Sequence, residues 1–148
     1  MMKQDRFLQI ILAVIGLLVI TAIALFFIRK NSQAYGAEDT PEGVLRNYVL
    51  AVNQEDYAKA YGYLQDIEAK PDYEKFQQQL TNKTGVIHQT ALKIITVEIS
   101  GDEAKIKVVI TRENSDLFDS RYSTNQTIAL VMQDEVWKLI RMPYPFGY

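Results

Sequence analysis

One histidine, one tryptophan, nine tyrosines and no cysteine are what this 148-residue chain offers to chemistry. His88 stands just before the first strong strand pattern, with Gln89 and Thr90 beside it. A single imidazole builds no metal centre without carboxylate help, and nothing nearby has ligand spacing. Two roles stay open for it: a partly exposed sheet residue, or a proton-transfer or pH-sensing group in a pocket. Acid–base work in an apolar pocket needs a carboxyl whose pKa burial has raised. The tyrosines on inward helical stripes, Tyr48, Tyr57 and Tyr61, bring no carboxylate at matching spacing, and Asp56 reads as a helix cap. The expectation is therefore no catalytic set, no metal and no cofactor. Trp137 and the tyrosines are core aromatics first. Buried phenols still need hydrogen-bond partners, so Tyr48, Tyr61, His88 and Trp137 are carried as candidate pocket lining. The absence of cysteine excludes disulfides, thiolate metal sites, a cysteine nucleophile and a lipoprotein acylation site.

The elements that must position these side chains begin with Phe7–Ile28, FLQIILAVIGLLVITAIALFFI, in which only Gln9 and Thr21 are clearly polar. As a helix it is about 33 Å long, enough to cross a hydrocarbon core of about 30 Å. The apolar run exceeds that of a cleaved signal, and Ala34-Tyr35-Gly36, which imitates a cleavage site, lies well past its end. An uncleaved anchor is expected, with residues 1–6 as a short tail before it. Lys3 and Arg6 against Arg29 and Lys30 leave orientation nearly balanced by charge. The signal-anchor layout favours the N-terminus inside and the domain outside, at a cell membrane. Lys3, Arg6, Arg29 and Lys30 against Asp5 put residues 1–30 at +3, and the remaining 12 basic and 17 acidic side chains carry −5. A soluble part of that sign argues against nucleic acid as a partner.

Residues 29–39 read as a tether, being small, polar and without periodicity after the two basic residues. Thr40 caps a first helix, with Pro41 at its first position and Glu42 in its first turn. Leu45, Tyr48, Val49 and Val52 give it one apolar face. Asp56 caps a second helix with Tyr57, Ala60, Tyr61 and Leu64 inward. Pro71 opens a third carrying Tyr73, Phe76 and Leu80, which Asn82–Gly85 ends. The period then changes to two. Ile95, Val97 and Ile99 share a strand face, Ser100–Glu103 forms a tight turn, and Ile106, Val108 and Ile110 alternate with Lys105, Lys107 and Val109. A polar loop at Asn114–Ser120 precedes a strand with Ile128, Leu130 and Met132 inward, and a turn at Gln133–Glu135 leads to a last strand, Val136–Met142. Three helices followed by a four-stranded antiparallel meander make an α+β domain, whose twisted sheet wraps the first helix and leaves a cone. In residues 143–148 two prolines stop the last strand and three aromatics follow. This tail either packs back over the cone opening, presents its aromatics to a partner, or is loose.

TPEGVLRNYVLAVNQEDYAKAYGYL resembles the opening of the nuclear transport factor 2-like superfamily, with Asp56, Tyr57 and Ala60 at the start of the second helix. YEKFQQQL followed by Gly85 is similar to its third helix, and DEVWKLIRM to its closing hairpin. The likeness covers residues 40–142. It implies a cone-shaped α+β domain with a pocket, used for binding or dimerisation and catalytic only in some branches. The resulting expectation is a non-catalytic, membrane-anchored extracytoplasmic module that binds a protein partner or a small apolar ligand near the bilayer. The alternatives are a scaffold or homodimerising subunit of an envelope assembly, and an isomerase- or dehydratase-like enzyme using a Tyr with His88.

Overall fold

The first helix follows directly from its composition. α1 (Met2–Lys30) is a continuous helix of 29 residues, and Phe7–Phe26 within it presents 20 apolar-rich residues with none of the span buried. Its Thr21 hydroxyl donates to the Leu17 carbonyl at 2.7 Å, so even this polar side chain is satisfied inside the helix. Among the described residues, one helix is long and apolar enough to span a membrane. The computed structural model describes Met2–Lys30, Ala34–Arg112 and Tyr122–Gly147. It divides into two compact units, residues 1–34 and 35–148.

In the second unit, α2 (Pro41–Asn53) starts where the sequence places it. Thr40 holds an extended cap conformation, and its hydroxyl accepts the Gly43 N–H at 3.2 Å. α2 buries Val44, Leu45, Tyr48, Ala51 and Val52 on one face. α3 (Tyr57–Gly62) is capped by Asp56, whose carboxylate accepts the Lys59 N–H at 3.2 Å. α4 (Tyr73–Thr81) begins two residues beyond Pro71, with Asp72 at the cap position. It buries Phe76 and Leu80, whereas Tyr73 is exposed. The expected stop at Asn82–Gly85 is instead a corner into a further helix, α5 (Thr84–His88). The Val86 and Ile87 N–H groups both return to the Lys83 carbonyl at 2.9 Å, and Ile87 drops into the core. That one buried side chain outweighs the glycine that reads as a terminator.

The expected tether is shorter than residues 29–39. α1 runs through Lys30, and Gly36 is held by Asn47, which accepts its N–H at 2.8 Å and donates to its carbonyl at 3.0 Å. A side chain at Gly43 would meet the Ala37 carbonyl at 2.1 Å, so only glycine lets this segment lie against the start of α2.

β1 (Thr90–Ser100), β2 (Glu103–Arg112), β3 (Tyr122–Gln133) and β4 (Val136–Leu139) form one curved antiparallel sheet in sequential order. β2 and β3 alternate as expected, burying Ile106, Val108 and Ile110 and then Ile128 and Leu130. β1 does not. Its register against β2 shifts between Ile94 and Thr96. This bulge adds one residue and flips the alternation, so Leu92 and Ile94 face the core before it and Val97 after it. Ile95 is thrown outward at 52% exposure, and Ile99, at the hairpin end, is 57% exposed. The last strand is also shorter than Val136–Met142: pairing with β3 ends at Leu139. The polar loop Asn114–Ser120 lies outside the described residues.

Beyond β4 the chain folds inward. Met142, Pro143, Pro145, Phe146 and Gly147 are buried, while Tyr144 remains exposed. A Cβ at Gly147 would stand 2.0 Å from Met142 Cβ, so the segment closes on itself at a glycine. Of the three fates open to this tail, packing back is the one adopted.

Candidate functional site

The concave side of the sheet is where a pocket is expected, and aromatic groups fill it. Tyr48 on α2 is fully buried, and its hydroxyl donates to the Phe146 carbonyl at 2.6 Å. Burial pushes this phenol far above the ordinary tyrosine value, so it stays a protonated donor. The Phe146 side chain is itself 0% exposed, and the Lys83 ammonium donates to the Gly147 carbonyl behind it. Trp137 on β4 is buried in the same core cluster.

The other two candidate pocket residues lie elsewhere. Tyr61 is half-buried, with its ring edge-on to Tyr73 at 5.4 Å and Phe76 at 5.3 Å. Its hydroxyl donates to the Pro71 carbonyl at 2.8 Å, and the Lys70 ammonium stands 4.1 Å over its ring. Lys70 also reaches Asp66 at 2.6 Å and holds that exposed carboxyl below its ordinary range. His88, ending α5, is exposed. Tyr48 and Trp137 therefore lie within the core, Tyr61 packs against its margin through Phe76, and His88 is on the surface. Among the described residues no group of three or more His, Asp or Glu side chains is arranged to hold a metal ion.

A polar cluster that sequence reasoning missed fastens the segment before α2. The Tyr63 hydroxyl donates to Glu38 Oε1 at 2.6 Å, and Lys59 stands 3.6 Å from the same oxygen. The Lys59 ammonium also lies 4.1 Å over the Tyr35 ring, whose hydroxyl donates to Asp56 at 3.2 Å. Tyr63 is pushed up by desolvation first and by Glu38 second, and Tyr35 by desolvation and then Asp56. The available signal was Asn47, a polar residue at helical spacing between Val44 and Ala51 on an apolar stripe.

Two clefts flank the chain where it leaves β4. One, of about 420 Å³, has an apolar floor of Leu64, Ile67, Pro71 and Met142, with Lys70 and Arg141 at its rim. The other, of about 410 Å³, lies between Gln126–Ala129 of β3 and Ile140–Pro143. Neither is lined by a carboxylate or a histidine.

No family model matches the chain, and neither does any curated protein. Solved structures do match in fold. A protein of unknown function with a cystatin-like fold from Nostoc punctiforme aligns with a TM-score of 0.50 at 18% identity, over 66% of this chain and 80% of that one. A SEC-C motif containing protein from Rhodopseudomonas palustris aligns with a TM-score of 0.52 at 8% identity, over 72% and 79%. A member of the Rd1NTF2 series aligns with a TM-score of 0.53 at 9% identity, over 70% and 94%. The shared feature is the nuclear transport factor 2-like, cystatin-like fold.

Proposed function

We propose that this protein is a non-catalytic, single-pass interaction module whose α+β domain works outside the cell membrane, close to the bilayer that α1 crosses. The observation that carries this reading is the filled concave side. The chain's own Phe146 is fully buried in the core beside Tyr48, which is bonded to its carbonyl, and this supports the reading. What is left for recognition is the surface. The anchor rests on the apolar length of α1, and only five residues, 31–35, separate α1 from Gly36, which Asn47 holds to the domain.

Cross-linking in intact membranes, followed by identification of what is captured, tests the module; recovery of self alone would refute partner binding. Carbonate extraction should leave the intact chain in the pellet. A cysteine at Ser32 should react with an impermeant thiol reagent if the domain faces outward. A second reading, a subunit that assembles with its own copies, is favoured by the exposed Ile95 and Ile99 on β1. Self-only capture would support it.

A further inference from the structure

β3 is much longer than the strand that covers it. It runs from Tyr122 to Gln133, yet β4 pairs only with Leu130–Gln133. One further bond, from the Ile140 N–H to the Ala129 carbonyl at 3.1 Å, ends the contact. That bond also shows which backbone groups face the vacated side. In an antiparallel ladder, alternate residues direct both N–H and C=O to the same neighbour. The β2–β3 register is unbroken from Tyr122 to Val131, so Thr127, Asn125 and Ser123 share the orientation of Ala129. Their backbone groups point away from β2 and meet no strand among the described residues.

Unpaired edges are normally guarded by bulges, charges or short length. The other free edge, β1, has such guards: the bulge at Ile94/Thr96, with Lys93 and Glu98 on either side. β3 has neither bulge nor charge between Tyr122 and Ile128. Open space also lies in line with β4 there, as the cleft of about 410 Å³ between Gln126–Ala129 and Ile140–Pro143. Gln126 lines it with a buried Oε1 that has no hydrogen-bond partner.

Among the described residues, the charged side chains that line the clefts at this edge are cations. Arg141 lines the cleft, exposed and with no ion pair among the described residues. Lys107 lines the adjoining cleft on the outer face, 3.2 Å from Glu98. No carboxylate lines either cleft. Among the described residues, the other carboxylate on that face, Glu103, is level with Val131, away from the open stretch.

We propose that the free edge of β3 from Tyr122 to Ile128 receives an extended acidic peptide segment of another protein as an added strand. Backbone groups of Ser123, Asn125 and Thr127 pair with it, and Arg141 and Lys107 attract its carboxylates. This rests on the interaction-module reading and names the partner's chemistry.

The test uses the full chain in detergent micelles and two fluorescent seven-residue probes, alternating Val with Glu or Val with Lys, followed by anisotropy. The Glu probe should bind at least about tenfold more tightly than the Lys probe, and more weakly as salt rises. Thr127→Pro removes an N–H that the ladder to β2 does not use, and should lower affinity about tenfold with the fold retained. Arg141→Glu, at an exposed position, should also lower it and covers the case in which the proline variant fails to fold. Equal binding of the two probes would overturn the proposal. So would Thr127→Pro binding as wild type, which would leave charge attraction without strand addition. A wild-type dimer that Thr127→Pro dissociates and the Glu probe does not would overturn it in favour of a second copy. Capture of a partner in membranes that Thr127→Pro leaves unchanged would overturn this site alone and leave the interaction module standing.

Discussion

Replacing Phe146 with alanine is the sharpest probe of the filled interior. Phe146 is completely buried, 98 positions beyond the α2 tyrosine whose hydroxyl donates to its carbonyl. Truncating a buried phenylalanine removes its transfer free energy and leaves a cavity, together costing about 3–5 kcal/mol. For a unit of this size each kcal/mol moves the melting temperature by roughly 3–6 °C, so Phe146→Ala should melt about 10–25 °C lower. Trp137, the sole tryptophan, lies in the same core at 5% exposure, so its fluorescence reports the transition in full-length protein in micelles. Tyr48→Phe alone should cost about 1–3 kcal/mol, because the buried carbonyl it leaves has lost its donor. In a chain cut after Met142 that carbonyl is gone, and the same substitution should cost distinctly less. A shift below about 3 °C for Phe146→Ala would refute the packed tail. Full additivity of Tyr48→Phe with the truncation would refute their coupling.

Three further outcomes can be measured on the same material. Tyr48 and Tyr63 are pushed above the ordinary value of 10.0, so their contribution is whole below pH 10 and lost as pH rises beyond it. Alkaline unfolding should steepen there, and Tyr48→Phe should flatten it by up to about 1.4 kcal/mol per pH unit, read by urea titration at each pH. Asn47→Ala should cost about 1–3 kcal/mol and speed proteolysis between Tyr35 and Asp39, since it removes both bonds holding Gly36. Glu135→Gly should stabilise by about 0.5–1 kcal/mol in denaturant melts, because Asp134 and Glu135 occupy the β3–β4 turn with φ of 52° and 65°.

Much of the fold is local, and local chemistry is legible. α1 declares itself because its apolar run is long and holds no proline to break it. Thr40-Pro41 and Asp56 start helices for reasons contained within four residues, and both caps form as read. β2 shows its alternation because each of its inward positions meets the core. The points where reading and structure part are those decided by partners distant in sequence. Gly85 reads as a stop, but Ile87 finds core space and draws another turn of helix with it. Ile95 reads as inward until the bulge against β2 turns it out. Of the four candidate pocket residues, the aromatic character was legible. Their distribution between the core, its margin and the surface was not, because it depends on which helix packs over which strand.

The sequence by itself determined the long apolar helix, the α+β order and the absence of thiol chemistry, since these depend on composition and short-range spacing. Only the tertiary structure decided that residues 143–147 turn back inside, that Asn47 holds the segment before α2, and that β4 pairs with only the last four residues of β3. Each of those depends on contacts between residues far apart in the chain, whose free energy exists only once both partners have been brought together.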